Sequence, residues 1–186
     1  MTYLSPAKIN LFLHVTSKRS DGYHNIQTIF QLVDYCDEIN INYRSDGLIS
    51  RISGNENISK DQDLTIRSAT LLKKITGSKG GADIAIVKKI PIGGGLGGGS
   101  SNAATVLIAL NKLWNLNLPK EELVDIGQNL GADVPVFING HSSWGEGTGE
   151  ILTPLSLPKY FYLIVTIGKH ISTKEIFTHK ALTMSP

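Results

Sequence analysis

The sequence predicts an α+β domain on a mixed or antiparallel sheet, and three observations predict it. Residues 7–52 read as strands joined by turns, before any helical pattern begins. Helical patterns then dominate to about residue 130 without regular strand–helix alternation, which argues against a doubly wound parallel sheet. Third, glycine fills every position of 93–99 except Leu96, between a strand-like segment and an amphipathic one.

The elements follow in order. Over residues 7–15, Ile9, Leu11, Leu13 and Val15 face one way and Lys8, Asn10, Phe12 and His14 the other, the alternation of a half-buried strand. "SDGY" at 20–23 is a turn. Strands are expected at 26–33, 38–43 and 48–52, the last two joined by the turn "RSDG". Asp61 and Asp63 lead into a helix that ends near Ile75 and is carried by Leu64, Ala69, Leu71 and Leu72. "TGSKGG" at 76–81 is a loop, and 82–90 is strand-like up to Pro91. After the glycines, Ala103, Val106, Leu107, Leu110 and Trp114 form one helical face. Pro119 suits the first position of a helix carried by Leu123, Ile126, Gly127 and Leu130. "GADVPVFING" at 131–140 reads as a loop and a short strand, "WGEGTGE" at 144–150 as turns, and 160–167 as a buried strand. The tail "STKEIFTHKALTMSP" begins a helix or loop.

Composition narrows the function classes. A chain of 186 residues, 41% hydrophobic and 18% charged, is that of a globular domain, or of one domain and part of another. A net charge of +2 suits a small anionic ligand and makes no case for nucleic acid. Cys36 is the only cysteine, so no intramolecular disulfide forms, in keeping with a reducing compartment, and no cysteine cluster can hold a metal. "MTYLSPAKINLFLHV" lacks a basic leader and is interrupted by Lys8 and Asn10, unlike a signal peptide, and no apolar run is long enough to span a bilayer. The expected location is the cytoplasm, with no membrane partner.

The glycine run asks for a ligand. Glycine loses the most backbone freedom on folding, so a cluster of it weakens a fold unless backbone must take positive φ or approach a ligand closely. Ser100, Ser101 and Asn102, residues of helix-capping type, lead from the glycines into the helix. A helix N-terminus carries unpaired N–H groups and roughly half a positive charge, which makes an anion site. The competing reading, a flexible linker, rarely sits between a strand and an amphipathic helix. A P-loop fails because Ser100 stands where lysine is required. The dinucleotide fingerprint matches trivially, and its acidic partner is missing, since Glu121 and Glu122 open a helix. The protein-kinase loop fails at Ser100 as well.

"PIGGGLGGGSSNAA" resembles the phosphate loop of the GHMP small-molecule kinases, the family of galactokinase and of homoserine, mevalonate and phosphomevalonate kinases. "SPAKINLFLHV" with "DGYHNIQTIFQ", and "GADVPVFINGHSSWGEGTGEIL", are similar to the branch that serves the non-mevalonate isoprenoid pathway. The resemblance implies the family's N-terminal fold, S5 domain 2-like as in ribosomal proteins, with a mixed sheet and helices on one side. It implies an ATP-dependent kinase that phosphorylates the 2-hydroxyl of a cytidine diphosphate-linked methylerythritol, with Mg²⁺. Such chemistry is mostly positioning and charge stabilisation.

By the same resemblance, Asp133 takes the hydroxyl proton and Lys8 holds the hydroxyl and its developing charge. Pro91, Gly93, Gly94, Gly95, Leu96, Gly97, Gly98, Gly99, Ser100 and Ser101 form the triphosphate cradle, and Ser100 or Ser101 touches phosphate or Mg²⁺. Asn10 contacts substrate or holds Lys8. Tyr23 stacks on the cytosine, His24 hydrogen-bonds to it, Phe177 covers its other side and Thr173 lies near the substrate. Asp63 stands where the family often has asparagine beside the adenine. Lys88 and Lys89, just before the loop, read first as solvated charges at a strand end and second as charge added to the cradle. No protein ligand set for a resident metal is implied.

The resemblance also implies two domains: residues 1–155 as the ATP-binding domain and 156–186 as the start of a second one, the remainder missing, so that the chain is expected to be C-terminally truncated and to turn over weakly or not at all alone. Two other readings stay open at this point: another GHMP kinase, or a nucleotide-binding module without catalysis.

Overall fold

A computed structural model of the chain describes residues 1–56, 58–165 and 173–184, with the backbone alone at Thr173 and Lys174. Its elements are β1 (Thr2–Lys18), β2 (His24–Arg44), β3 (Ile49–Ser53), α1 (Leu64–Thr76), β4 (Gly81–Val87), α2 (Gly98–Leu113), α3 (Lys120–Gln128), α4 (Val134–Asn139), β5 (Ser143–Glu146), β6 (Ile151–Pro154) and α5 (Thr173–Thr178). The sheet is mixed, with β3 and β4 parallel and every other pair antiparallel. β2 organises it. One edge of β2 pairs with β1, and the other is divided between β5 at Thr28–Phe30 and β4 from Glu38 to Arg44.

Residues 26–33 and 38–43, expected as separate strands, are one strand across a β-bulge. Val33 pairs with Ala7 and Cys36 with Pro6, leaving Asp34 and Tyr35 exposed between them. Pro6 has no N–H to give a ladder, and the irregularity falls beside it. The bulge inverts the side-chain alternation. Ile26, Thr28 and Phe30 are buried before it, and Asp37, Ile39 and Ile41 after it. Both halves of β2 therefore serve the same side of the sheet. There Ile39, Ile41, Ile84 and Ile86 meet Leu72 of α1, Val106, Leu107 and Leu110 of α2, Ile126 of α3 and Val136 of α4 in one core.

A second bulge corrects the simple alternation expected for β1. The register slips between Asn10 and Leu13, so Leu11 and Leu13 are exposed while Lys8 is buried. Lys8, Asn10, Leu13 and Val15 come to line one cleft. Phe12 instead contacts His14 and Trp144, with ring centroids 5.0 and 5.6 Å away.

Three further expectations change. The short strand in 131–140 is helix α4, with Pro135 in its first turn and Gly140 closing it at φ 72°. The flanks of the "WGEGTGE" turn pair as the hairpin of β5 and β6. Residues 160–165 are not a buried strand. They are extended without a ladder partner among the described residues, and Phe161, Leu163 and Val165 are exposed while Ile164 packs near Ala7, Ile90 and Leu96. Residues 166 and 167 lie outside the described residues. No helix among those described is long and apolar enough to cross a membrane.

Asp63 starts α1 as its N-cap. Its Oδ1 accepts the Thr65 N–H at 2.9 Å and the Thr65 hydroxyl at 2.6 Å, and its Oδ2 accepts from the Arg51 guanidinium at 2.6 Å. Burial alone would push this carboxyl up, yet the bonds from Thr65 and Arg51 outweigh it and hold the pKa below the ordinary value. Asp63→Ala removes the cap and leaves Arg51 without its carboxylate, and is expected to cost about 3 kcal/mol in urea denaturation at pH 7. A group with a depressed folded pKa stabilises fully above its unfolded pKa and loses that contribution as pH falls through the folded value. The gap between wild type and Asp63→Asn should therefore shrink below the ordinary carboxylate range. A gap that grows in acid contradicts the assignment.

A candidate nucleotide and acceptor site

Residues 88–97 carry the chain from β4 into α2 and form one wall of an open cleft of about 770 Å³. The Lys8 N–H on β1 donates to the Leu96 carbonyl at 2.9 Å, which seats the loop on the outer edge of the strand. Leu96 packs with Ala7 and Ile90 beneath it. Gly97 caps α2 at φ 71°, and a Cβ there would stand 2.8 Å from the Phe137 ring and 3.1 Å from Lys8 Cγ. Both the left-handed backbone and the space require glycine. The Ser101 N–H bonds back to the Gly97 carbonyl, so the N–H groups before it belong to the open helix end. No acidic residue occupies the first turn of α2. Backbone donors and helix dipole thus converge on a mouth suited to an anion.

Across the loop, Lys8 Nζ lies 3.3 Å from Asp133 Oδ2, with the lysine side chain 7% exposed and the aspartate 33%. Asp133 precedes α4 but makes no capping bond, so its carboxylate is free to turn into the cleft. Lys8 Nζ donates to Asn10 Oδ1 at 2.7 Å, Asn10 Nδ2 to the Thr28 hydroxyl at 2.7 Å, and that hydroxyl to the Phe12 carbonyl at 2.5 Å. This chain fixes which way the Asn10 amide faces. The ammonium also stands 5.6 Å from the centre of the Phe30 ring. The arrangement is one buried cation, one half-open carboxylate and a gap at the loop's rim, which is what an alcohol needs to be held and deprotonated.

The predicted residues divide. Lys8, Asn10, Asp133, Pro91, Leu96 and the six glycines 93–95 and 97–99 line the cleft, as does Phe177 on α5. Ser101 does not. It is fully buried, its hydroxyl accepts from Ser5 at 2.8 Å, and neither Ser100 nor Ser101 is part of the cleft wall. His24 and Phe177 are brought together, with ring centroids 5.5 Å apart and planes inclined by 34°. Tyr23 is 66% exposed in the turn before them. Thr173 opens α5, and its side chain lies outside the described residues. Asp63 reaches the wall of the cleft, but its carboxylate is engaged by Thr65 and Arg51.

Lys88 departs from the solvated strand end expected for it. Its side chain is 19% exposed and paired with buried Asp37, whereas Lys89 is exposed beside Glu38. Thr28 and Asp37 were not singled out by sequence reasoning, and Asn102, read there only as a capping type, lies inside α2, whose N-cap is Gly97. Their partners lie far along the chain, so no local spacing marks them. The inverted parity after the β2 bulge is the one signal that could have found Asp37.

Residues 63–141 match the family model described as "GHMP kinases N terminal domain". The chain is 59% identical over 184 residues to 4-diphosphocytidyl-2-C-methyl-D-erythritol kinase of Ruthia magnifica subsp. Calyptogena magnifica, covering 99% of this chain and 65% of that protein. It is 50% identical over 179 residues to the protein of the same name from Cupriavidus metallidurans, covering 96% and 61%. The chain thus spans under two thirds of the length of these curated relatives. A crystal structure of 4-(cytidine 5'-diphospho)-2C-methyl-D-erythritol kinase superposes with a TM-score of 0.75 at 40% identity, covering 85% of this chain and 56% of that one. These likenesses mark residues 63–141, which include the glycine loop at the start of α2, as a GHMP kinase N-terminal domain, within a chain that is similar over nearly all its length to the first part of those kinases.

Proposed function

We propose that this chain is the nucleotide-binding part of an ATP-dependent small-molecule kinase that phosphorylates the 2-hydroxyl of 4-diphosphocytidyl-2-C-methyl-D-erythritol. The observation that carries the reading is the 3.3 Å approach of Lys8 to Asp133 at the rim of the glycine loop. The names of the relatives supply the acceptor. The backbone of 93–99 cradles the triphosphate. Asp133 accepts the proton of the acceptor hydroxyl, and the Lys8 ammonium, aimed by Asn10, holds the oxygen and its growing negative charge. Mg²⁺ would accompany the ATP and offset the charge of its phosphates. The same proposal places the enzyme in the cytoplasm, in isoprenoid precursor synthesis.

Phe177 and His24 form the cytosine end, with Tyr23 stacking on the base and Thr173 beside it. Residues 1–155 form the nucleotide domain, and 156–186 begin the acceptor-side domain. The support for that division is that the last described strand of the sheet ends at Pro154 and that Phe161, Leu163 and Val165 after it are exposed apolar side chains.

The test is transfer of the γ-phosphoryl group from MgATP to the cytidine-linked acceptor, followed by ³¹P NMR at high protein concentration, beside equilibrium nucleotide binding. Lys8→Ala and Asp133→Asn are each expected to slow transfer by about 10²- to 10⁴-fold and to leave MgATP affinity within about threefold. Transfer that survives both substitutions refutes the catalytic pair. Gly97→Ala should do the reverse first: the new methyl meets Phe137 and Lys8, so MgATP affinity falls by about tenfold or more as the loop shifts. Phe177→Ala should weaken the cytidine-linked acceptor by about tenfold and spare ATP, since a ring contact is lost at that end alone. Equal losses for both ligands contradict its placement.

A further inference from the structure

The base of the glycine loop holds a charge that neither the transfer chemistry nor the phosphate cradle uses. Asp37 is fully buried, turned inward by the β2 bulge. Its Oδ1 accepts the backbone N–H groups of Lys89 at 2.7 Å and Ile90 at 2.9 Å. Its Oδ2 accepts from Asn102 Nδ2 at 2.9 Å and from the Lys88 ammonium. Lys89 and Ile90 immediately precede Pro91, on the stem that leads into the loop. Asn102 lies near the start of α2, on the stem that leads out. One carboxylate therefore ties the two stems together, and the Asn102 amide extends the tie to β1 through the Ser5 hydroxyl at 2.9 Å.

Such a group is a poor way to gain stability. A buried anion beside a phosphate site repels the ligand, and burial disfavours its charged form. Lys88 offsets both effects. It is bonded to Asp37 and, at 3.2 Å, to Asn102 Oδ1, and its Nζ lies 3.2 Å from where a Cβ on Gly98 would stand. An apolar side chain of the same size would fill the space at lower cost. It would not supply directional acceptors to both stems at once.

We propose that Asp37 is a positioning residue of the anion site: its carboxylate sets the separation of the two loop stems and with it the aperture of the amide cradle. The proposal deepens the nucleotide-binding reading above and rests on it. Asp37→Asn keeps the size and keeps an oxygen for Lys89 and Ile90, but turns an amide toward the Asn102 amide and the Lys88 ammonium. In variant protein that is folded by circular dichroism, amide hydrogen exchange over residues 92–101 is expected to quicken by about tenfold while β2 and α1 are unchanged, and MgATP affinity to fall by about tenfold.

The double exchange Asp37→Asn with Asn102→Asp moves the carboxylate to the outgoing stem, still against Lys88. It should restore both readouts to within about threefold, whereas Asn102→Asp alone sets two carboxylates on one ammonium and loosens the loop. If Asp37→Asn does not fold, the comparison of Asn102→Asp with the double variant decides the matter by the same readouts. Unchanged loop exchange in folded Asp37→Asn overturns the proposal. Recovery of thermal stability in the double variant without recovery of loop protection overturns it too, because a purely structural group would behave that way. If the wild-type chain binds no MgATP, the nucleotide reading fails by itself, and loop exchange still tells whether Asp37 fastens the stems.

Discussion

The cleft depends on two attachments made by one residue. The backbone N–H of Lys8 holds the glycine loop at Leu96, and its ammonium faces Asp133. The glycine loop and the Lys8–Asp133 ion pair, proposed above as anion cradle and acid–base pair, are therefore referenced to the same Cα. Any shift of β1 moves both together, which preserves their relative placement better than two separate anchors would. In-line transfer between a phosphate and an alcohol tolerates little misplacement, so a shared anchor is a direct way to hold the geometry.

Holding a cation in a site that is nearly closed to water needs several partners. Lys8 has a carboxylate, an oriented amide and the face of Phe30. None of these is redundant in direction: Asp133 opens toward the cleft, Asn10 is locked from behind by Thr28, and the ring covers a third side. The buried carboxylates among the described residues, Asp37 and Asp63, follow the same rule. Each is fully engaged by several donors, and each is kept ionised by hydrogen bonds that outweigh its burial. Charges in this domain are buried as members of satisfied networks, and the networks sit where the loop and the first helix begin.

Much of this was legible in the sequence, because the signals are local. The glycine run, the apolar stripe of α2 and the strand periods of the first half announce their structures over a few residues. The proposed anion site rests on the same kind of local signal, since glycine density before a helix has few other uses. What escaped lies at longer range. The alternation of β1 pointed Lys8 and His14 to one face, and a slip between Asn10 and Leu13 separates them. Residues 131–140 read as a loop and a short strand, yet they hold α4, with Pro135 and Gly140 where helix ends favour them. The apolar run at 160–165 has strand composition, yet a strand needs a neighbour, and none stands beside it among the described residues. Asp37 and Asn102 meet across 65 positions, and no spacing rule reaches so far.

The bulge at Asp34 and Tyr35 constrains how this gene can drift. Both residues are exposed, and the Tyr35 hydroxyl donates to the Lys89 carbonyl. Their number matters more than their identities. Deleting one of them would turn Asn40 and Asn42 toward the core and Ile39 and Ile41 toward water, and would swing Asp37 away from the loop. The segment that looks most permissive to insertions and deletions is thus among the least.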